Sequence, residues 1–117
     1  MRAPKSISIS RGEWEPYPLD AAQVIEGDPA PVVRWLHVSG EGEPGYYAGV
    51  WRAERSTFRW TFDFNETAHI LSGRIRVTDE SGSTHDYAAG DVVYFPKGAR
   101  TTWEIVERFE KVFVDSA

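Results

Sequence analysis

Two stretches, Glu66-Thr-Ala-His-Ile-Leu-Ser-Gly73 and Gly90-Asp-Val-Val-Tyr-Phe-Pro-Lys-Gly98, decide how this chain is read. Each ends or begins on a glycine, the residue used where a strand must turn sharply or let another backbone come close. Between them, residues 74–78 alternate with arginines on one side and Ile75 and Val77 on the other, and Asp79-Glu-Ser-Gly82 supplies a hairpin turn that returns through residues 83–87. Just upstream, residues 57–62 place Phe58, Trp60 and Phe62 on one face. Downstream, residues 100–106 and 109–114 read as two strands joined by Glu107-Arg108. Val32–Val38 and Tyr46–Ala53, on either side of a glycine-rich turn, are β-branched and aromatic. With residues 92–95, about nine short strands result and no capped helical period, so the pattern predicts an all-β, single-domain barrel or sandwich. Residues 1–31 carry five of the seven prolines and no clear period. They read as an N-terminal arm, with a short extended piece at Ile7-Ser-Ile9, packed on the barrel of residues 32–117 or on a partner subunit.

Composition narrows the function. A chain of 117 residues and 13.2 kDa is one ordinary domain, expected to bury roughly 65% of its unfolded surface. Net charge −5 leaves no basic field for phosphates, so nucleic acid is excluded as an expected partner. No apolar run approaches bilayer length and the first residues lack an apolar signal core, so the expectation is a cytoplasmic protein without a membrane partner. The absence of cysteine removes disulfides, thiolate catalysis and sulfur-ligated zinc. Residues 92–95 are apolar on both faces, which a sheet with one wet side does not tolerate, and a homodimer is expected.

The two glycine-anchored stretches resemble the paired motifs of the cupin superfamily. Glu66, Gly73, Gly90, Pro96 and Gly98 stand at the spacing of those motifs, while the three histidines are replaced by Trp60, Phe62 and Thr101. Gly49-Val-Trp51, Asn65-Glu-Thr67, Trp103-Glu and Lys111 are similar to the small cupins grouped with (S)-ureidoglycine aminohydrolase and the ethanolamine-utilisation cupins. The resemblance implies an RmlC-like antiparallel jelly-roll barrel. In the aminohydrolase it implies a manganese site built on histidines, which this chain lacks.

The resemblance places Glu66 inside the barrel, where cupins keep a metal-ligating or catalytic carboxylate. Beside Trp60 and Phe62 it would be desolvated, and it is the candidate general acid or base. Thr101 and Trp103 share a face, and with Trp60, Phe62 and Tyr94 they would line a small ligand pocket with aromatic walls and polar tips. The competing reading is a barrel filled by these rings. No metal and no other cofactor is expected, because Glu66 is the one strong donor at the four ligand positions. His69 lies three residues after Glu66 and so faces the other way; His37 and His85 have no partner at ligand spacing. Ser83, His85 and Asp86 are neighbours by a hairpin and carry no sign of an oxyanion hole. The leading expectation is metal-free binding of a small polar or carboxylated metabolite, with Glu66 exchanging a proton. A metal-dependent hydrolase of the aminohydrolase kind and a non-catalytic regulatory cupin are the alternatives, and the residues leave open whether the chain is an enzyme.

Overall fold

The computed structural model describes residues 2–117, and its regular structure is strand but for one 3₁₀ turn. In order come β1 (Glu15–Pro16), a 3₁₀ turn (Ala21–Gln23), β2 (Val24–Gly27), β3 (Val32–Val38), β4 (Tyr46–Ala53), β5 (Ser56–Thr61), β6 (Asn65–Thr78), β7 (Thr84–Ala88), β8 (Val92–Phe95) and β9 (Arg100–Ser116). All pairs are antiparallel, in one sheet curled on itself. The expected all-β jelly-roll barrel is the observed architecture. Among the described residues no helix is long and apolar enough to cross a membrane.

β9 is the seam. One edge pairs with β4 over Phe109–Ser116 and with β5 over Arg100–Ile105; the other pairs with β6 along nearly its whole length. Sequence reading divides both long strands, β9 at Glu107-Arg108 and β6 at Gly73, whereas each runs through its break as a bulged strand with shifts of register between Ile70 and Ile75. The bulge lets one strand bend around the barrel instead of ending. Gly73 sits at φ +84°, and a Cβ there would lie 2.2 Å from the Arg108 carbonyl oxygen. Its conformation and the close approach both demand glycine.

The second motif is held by backbone bonds. Gly90 N donates to Ile70 O, Ile70 N to Asp91 O, and the Asp91 carboxylate accepts from Ala88 N at 2.8 Å. Gly98 N donates to Phe62 O and Phe62 N to Ala99 O, so the Pro96-Lys-Gly98 turn is tied to the end of β5.

Strand alternation sends Phe58, Ile70, Ile75, Trp103, Ile105 and Phe109 inward, each at most 2% exposed. The deep half of the barrel is therefore filled with side chains, offset aromatic pairs among them such as Phe58 on Trp103 at 5.9 Å. Two short pieces of the N-terminal arm join the sheet: β1 extends β3 and β2 extends β5. Ile7-Ser-Ile9 forms no strand. That segment lies along the outside of β3, β4 and β9, anchored where Arg34 donates to the carbonyls of Ile9 and Gly12. The guanidinium groups of Arg34 and Arg52 lie over the Trp14 ring at 3.8 and 4.5 Å.

Candidate functional site

The inner face of β9 carries, at every second position, Phe109, Lys111, Phe113 and Asp115, and two of these bring charge into the barrel. Lys111 is buried, and its Nζ lies 2.5 Å from Glu66 Oε2 on β6, with side-chain exposures of 8% and 7%. The ammonium also lies 4.9 Å from the Trp103 ring centre, 5.0 Å from Trp51 and 5.8 Å from Phe113. A buried charge needs a partner and polarisable surroundings, and Lys111 has both.

Asp115 stands directly opposite Glu66 in the β6–β9 register and opposite Tyr47 on β4. Two carboxylates facing each other across a pair of strands repel, and protonation of one relieves the conflict. Burial first, then hydrogen bonding and charge from Glu66, push the Asp115 carboxyl up to about 8, against a smaller opposing pull from Lys111. Burial and the facing Glu66 thus favour the neutral form of Asp115 well above the ordinary carboxylate range. Its Oδ1 is shielded from solvent and has no hydrogen-bond partner.

Above this cluster the barrel opens. A hollow of about 20 Å³, room for roughly one water, is bounded by Trp51, Phe58, Trp103, Lys111 and Phe113. A vestibule of about 220 Å³ lies over it, walled by Trp35, Tyr47, Phe62, Asp63 and Phe64. Tyr17, Trp60, Glu66 and Asp115 line both. Burial, followed by the charges of Asp115, Glu66 and Asp63, pushes the Tyr17 phenol up to about 12. The barrel interior is thus filled below and open above.

The residues singled out from sequence divide accordingly. Glu66, Trp60 and Phe62 line the vestibule, Phe62 stacking on Phe95 at 4.5 Å. Trp103 lies deeper, as floor rather than vestibule wall. Thr101 is buried and committed: its hydroxyl donates to Trp60 O at 2.8 Å and accepts from Trp103 Nε1 at 3.0 Å. Tyr94, expected as a pocket residue, requires correction. On β8 it is Val93 and Phe95 that turn inward, leaving Tyr94 60% exposed on the outer face with its hydroxyl donating to Asn65 Oδ1 at 2.9 Å. The two residues preceding Phe95 cannot both share its face. His69 is exposed on the outer side of β6, His85 pairs with Asp79 at 2.9 Å, and Asp86 pairs with Arg76 at 2.8 Å, so Ser83, His85 and Asp86 form no relay.

A metal does not fit these residues. Two of the four positions at which cupins supply ligands hold an indole and a phenyl ring, neither with a lone pair free for a metal, Thr101 already uses its hydroxyl, and Glu66 is taken by Lys111. Among the described residues no three of His, Cys, Asp and Glu gather as a ligand set. An ammonium lies where a cation would otherwise meet Glu66.

Sequence reasoning missed the contributions of Lys111, Asp115 and Tyr17. The alternation of Phe109, Lys111 and Phe113 within residues 109–114 already turns Lys111 inward, and carrying that strand one residue further adds Asp115. Tyr17 has no such signal, because it reaches the vestibule from the proline-rich segment just after β1.

The model of the EutQ-like cupin domain matches residues 41–113. No curated protein matches the chain. Among solved structures, a DUF861-family protein from Thermotoga maritima is similar at 42% identity and TM-score 0.54 over 55% of this chain and 73% of that one. A putative ethanolamine utilization protein Q from Salmonella typhimurium is similar at 22% identity and TM-score 0.66, covering 90% of this chain and 98% of that one. A DUF861-family protein of unknown function from Pseudomonas syringae gives TM-score 0.79 at 20% identity, with 90% of this chain spanning 45% of that longer one. At those last two identities the likeness speaks for the fold alone. With the paired glycine motifs, the curled antiparallel barrel and a family match over more than half its length, the chain belongs to the EutQ-like cupin domain family.

Proposed function

We propose that the chain binds a small molecule in the aromatic vestibule without a metal and exchanges a proton with it through Asp115. The observation that carries this reading is the Asp115 carboxyl, which borders the vestibule with one oxygen shielded from solvent and unpartnered beside the Lys111–Glu66 pair. A group with a perturbed proton affinity in an apolar cavity with few polar atoms is the usual signature of a working site. In this reading Glu66, the acid or base expected from sequence, adds to the effect of burial in raising Asp115, and its own oxygen is tied to Lys111. A carboxyl that is neutral near pH 7 can donate to a ligand atom and recover its proton from water, which suits isomerisation or lyase chemistry.

Thermal-shift measurements over small amines, alcohols and carboxylates test the reading, since a ligand of the folded state raises Tm. At least one class should raise Tm in the wild type and not in Trp60→Leu, and proton exchange with the bound compound should be lost in Asp115→Asn. Elemental analysis of gently purified protein should find no stoichiometric transition metal. A chelator-releasable metal whose loss lowers Tm would overturn the reading in favour of a metal-dependent hydrolase, and binding indifferent to Trp60 would move the site elsewhere.

A further inference from the structure

The vestibule has a chemical bias that selects among those classes. Its wall is a chain of rings: Trp60 to Tyr17 at 6.3 Å, Tyr17 to Trp35 at 6.1 Å, Trp35 to Tyr47 at 6.3 Å and Tyr47 to Phe64 at 5.2 Å. Its charged lining is entirely acidic, Asp63 at the rim and Glu66 and Asp115 at the floor, and no arginine or lysine borders it. Lys111, beneath, belongs to the smaller hollow and is already held by Glu66. A carboxylated ligand would find no free cation there. We propose that the vestibule recognises a small organic cation, an alkylammonium or quaternary ammonium head group, an assignment that rests on the proposed function and names its ligand class.

The molecule holds an internal example of the same recognition. Lys111 presents its ammonium to Trp103, Trp51 and Phe113 and meets a carboxylate at 2.5 Å. The vestibule repeats that composition one layer higher, with aromatic faces for the alkyl groups and the Asp63 carboxylate for the charge, since Glu66 is held by Lys111 and Asp115 is raised toward its neutral form. Ring faces are negative at their centres and attract cations most strongly when water is excluded, which is how aromatic cages hold methylated ammonium groups. Burial first, and after it the same three acidic residues, keep the Tyr17 phenol protonated. Size agrees: a cavity of about 150 Å³ accommodates benzene, and the vestibule measures about 220 Å³.

Three probes of one shape decide the matter: choline, dimethylbutanol as its neutral carbon isostere, and dimethylbutyrate as an anion of similar bulk, titrated at fixed ionic strength and followed by calorimetry and tryptophan fluorescence. Choline should bind about ten-fold or more tighter than the alcohol, and the carboxylate should bind weakest. Asp63 is exposed, so Asp63→Asn should fold normally, weaken choline several-fold and leave the alcohol unchanged. If the alcohol or the carboxylate matches choline, or Asp63→Asn leaves choline binding intact, the cation assignment falls while the vestibule stands as the binding site. If none of the three binds, the assignment and the proposed site fall together.

Discussion

At the scale of single residues, the Lys111–Glu66 pair has a cost that its surroundings offset. Two charges removed from water each lose several kcal/mol of hydration, recovered only while both partners and the flanking rings stay in place. Lys111→Met alone should therefore destabilise the protein by about 3–5 kcal/mol in urea denaturation, and Lys111→Met with Glu66→Leu should recover most of that loss. A single-variant loss below about 1 kcal/mol would mean that the pair is hydrated. Asp115 makes a separate contribution. Its folded carboxyl sits at about 8, above the value near 3.9 of an unfolded aspartate. The folded state therefore binds the proton more tightly, and the stability it adds is complete below pH 4 and lost as pH rises to about 8. Glu66, Lys111 and Tyr17 are the charged or titratable groups facing it, and none of them reverses this sign. Asp79 and Asp86 act oppositely in strong acid, because His85 and Arg76 hold their carboxyls low. The pH profile of Tm for Asp115→Asn should accordingly lack the decline between pH 4 and 8 expected of the wild type; parallel profiles would show that Asp115 titrates normally.

At the scale of elements, Gly73 and Gly82 form a matched pair with nearly equal φ, +84° and +86°, and different neighbours. A Cβ at Gly82 would meet nothing within 4 Å, whereas at Gly73 it would run into the β9 backbone. Gly82→Ala should cost about 1 kcal/mol, the price of the left-handed conformation. Gly73→Ala should cost about 3 kcal/mol or more, because the strand crossing must also part. Equal losses would mean that β6 and β9 yield freely at the bulge. Gly73 also shows how far the sequence could be read. Its spacing from Glu66 signalled a bend or a close approach, and strand alternation placed Trp60, Phe62 and Glu66 on one face. What stayed hidden was charge facing inward: residues 109–114 already put Phe109, Lys111 and Phe113 on one face, but a lysine is rarely buried, and Asp115 lies one residue past the strand as read from sequence. Tyr94 failed for the reverse reason. An aromatic residue was assigned to the interior on composition, while its place on β8 put it outside with Val92.

At the scale of the whole molecule, the outer face of β8 carries apolar surface that the single chain leaves in water. Val92 is 68% exposed and Tyr94 60% exposed. Self-association through this sheet face would bury Val92 and Tyr94 without involving the vestibule. Sedimentation at micromolar concentration should show a dimer for the wild type, and Val92→Lys with Tyr94→Lys should give a folded monomer; a wild-type monomer, or a double variant that still dimerises, would exclude this face. The arm meanwhile lies over the side where Ala48 and Val50 are 2% and 1% exposed, so removing it should lower stability as well as association. The position of β9 bears, finally, on how the chain is made. β4, β5 and β6 all take it as a partner, yet it is the last of the strands to leave the ribosome. Until residues 100–116 emerge, three earlier strands wait with open edges and uncovered aromatic faces. The nascent protein is then most exposed to faulty pairing just before synthesis of β9, and slowing translation there should raise its dependence on chaperones.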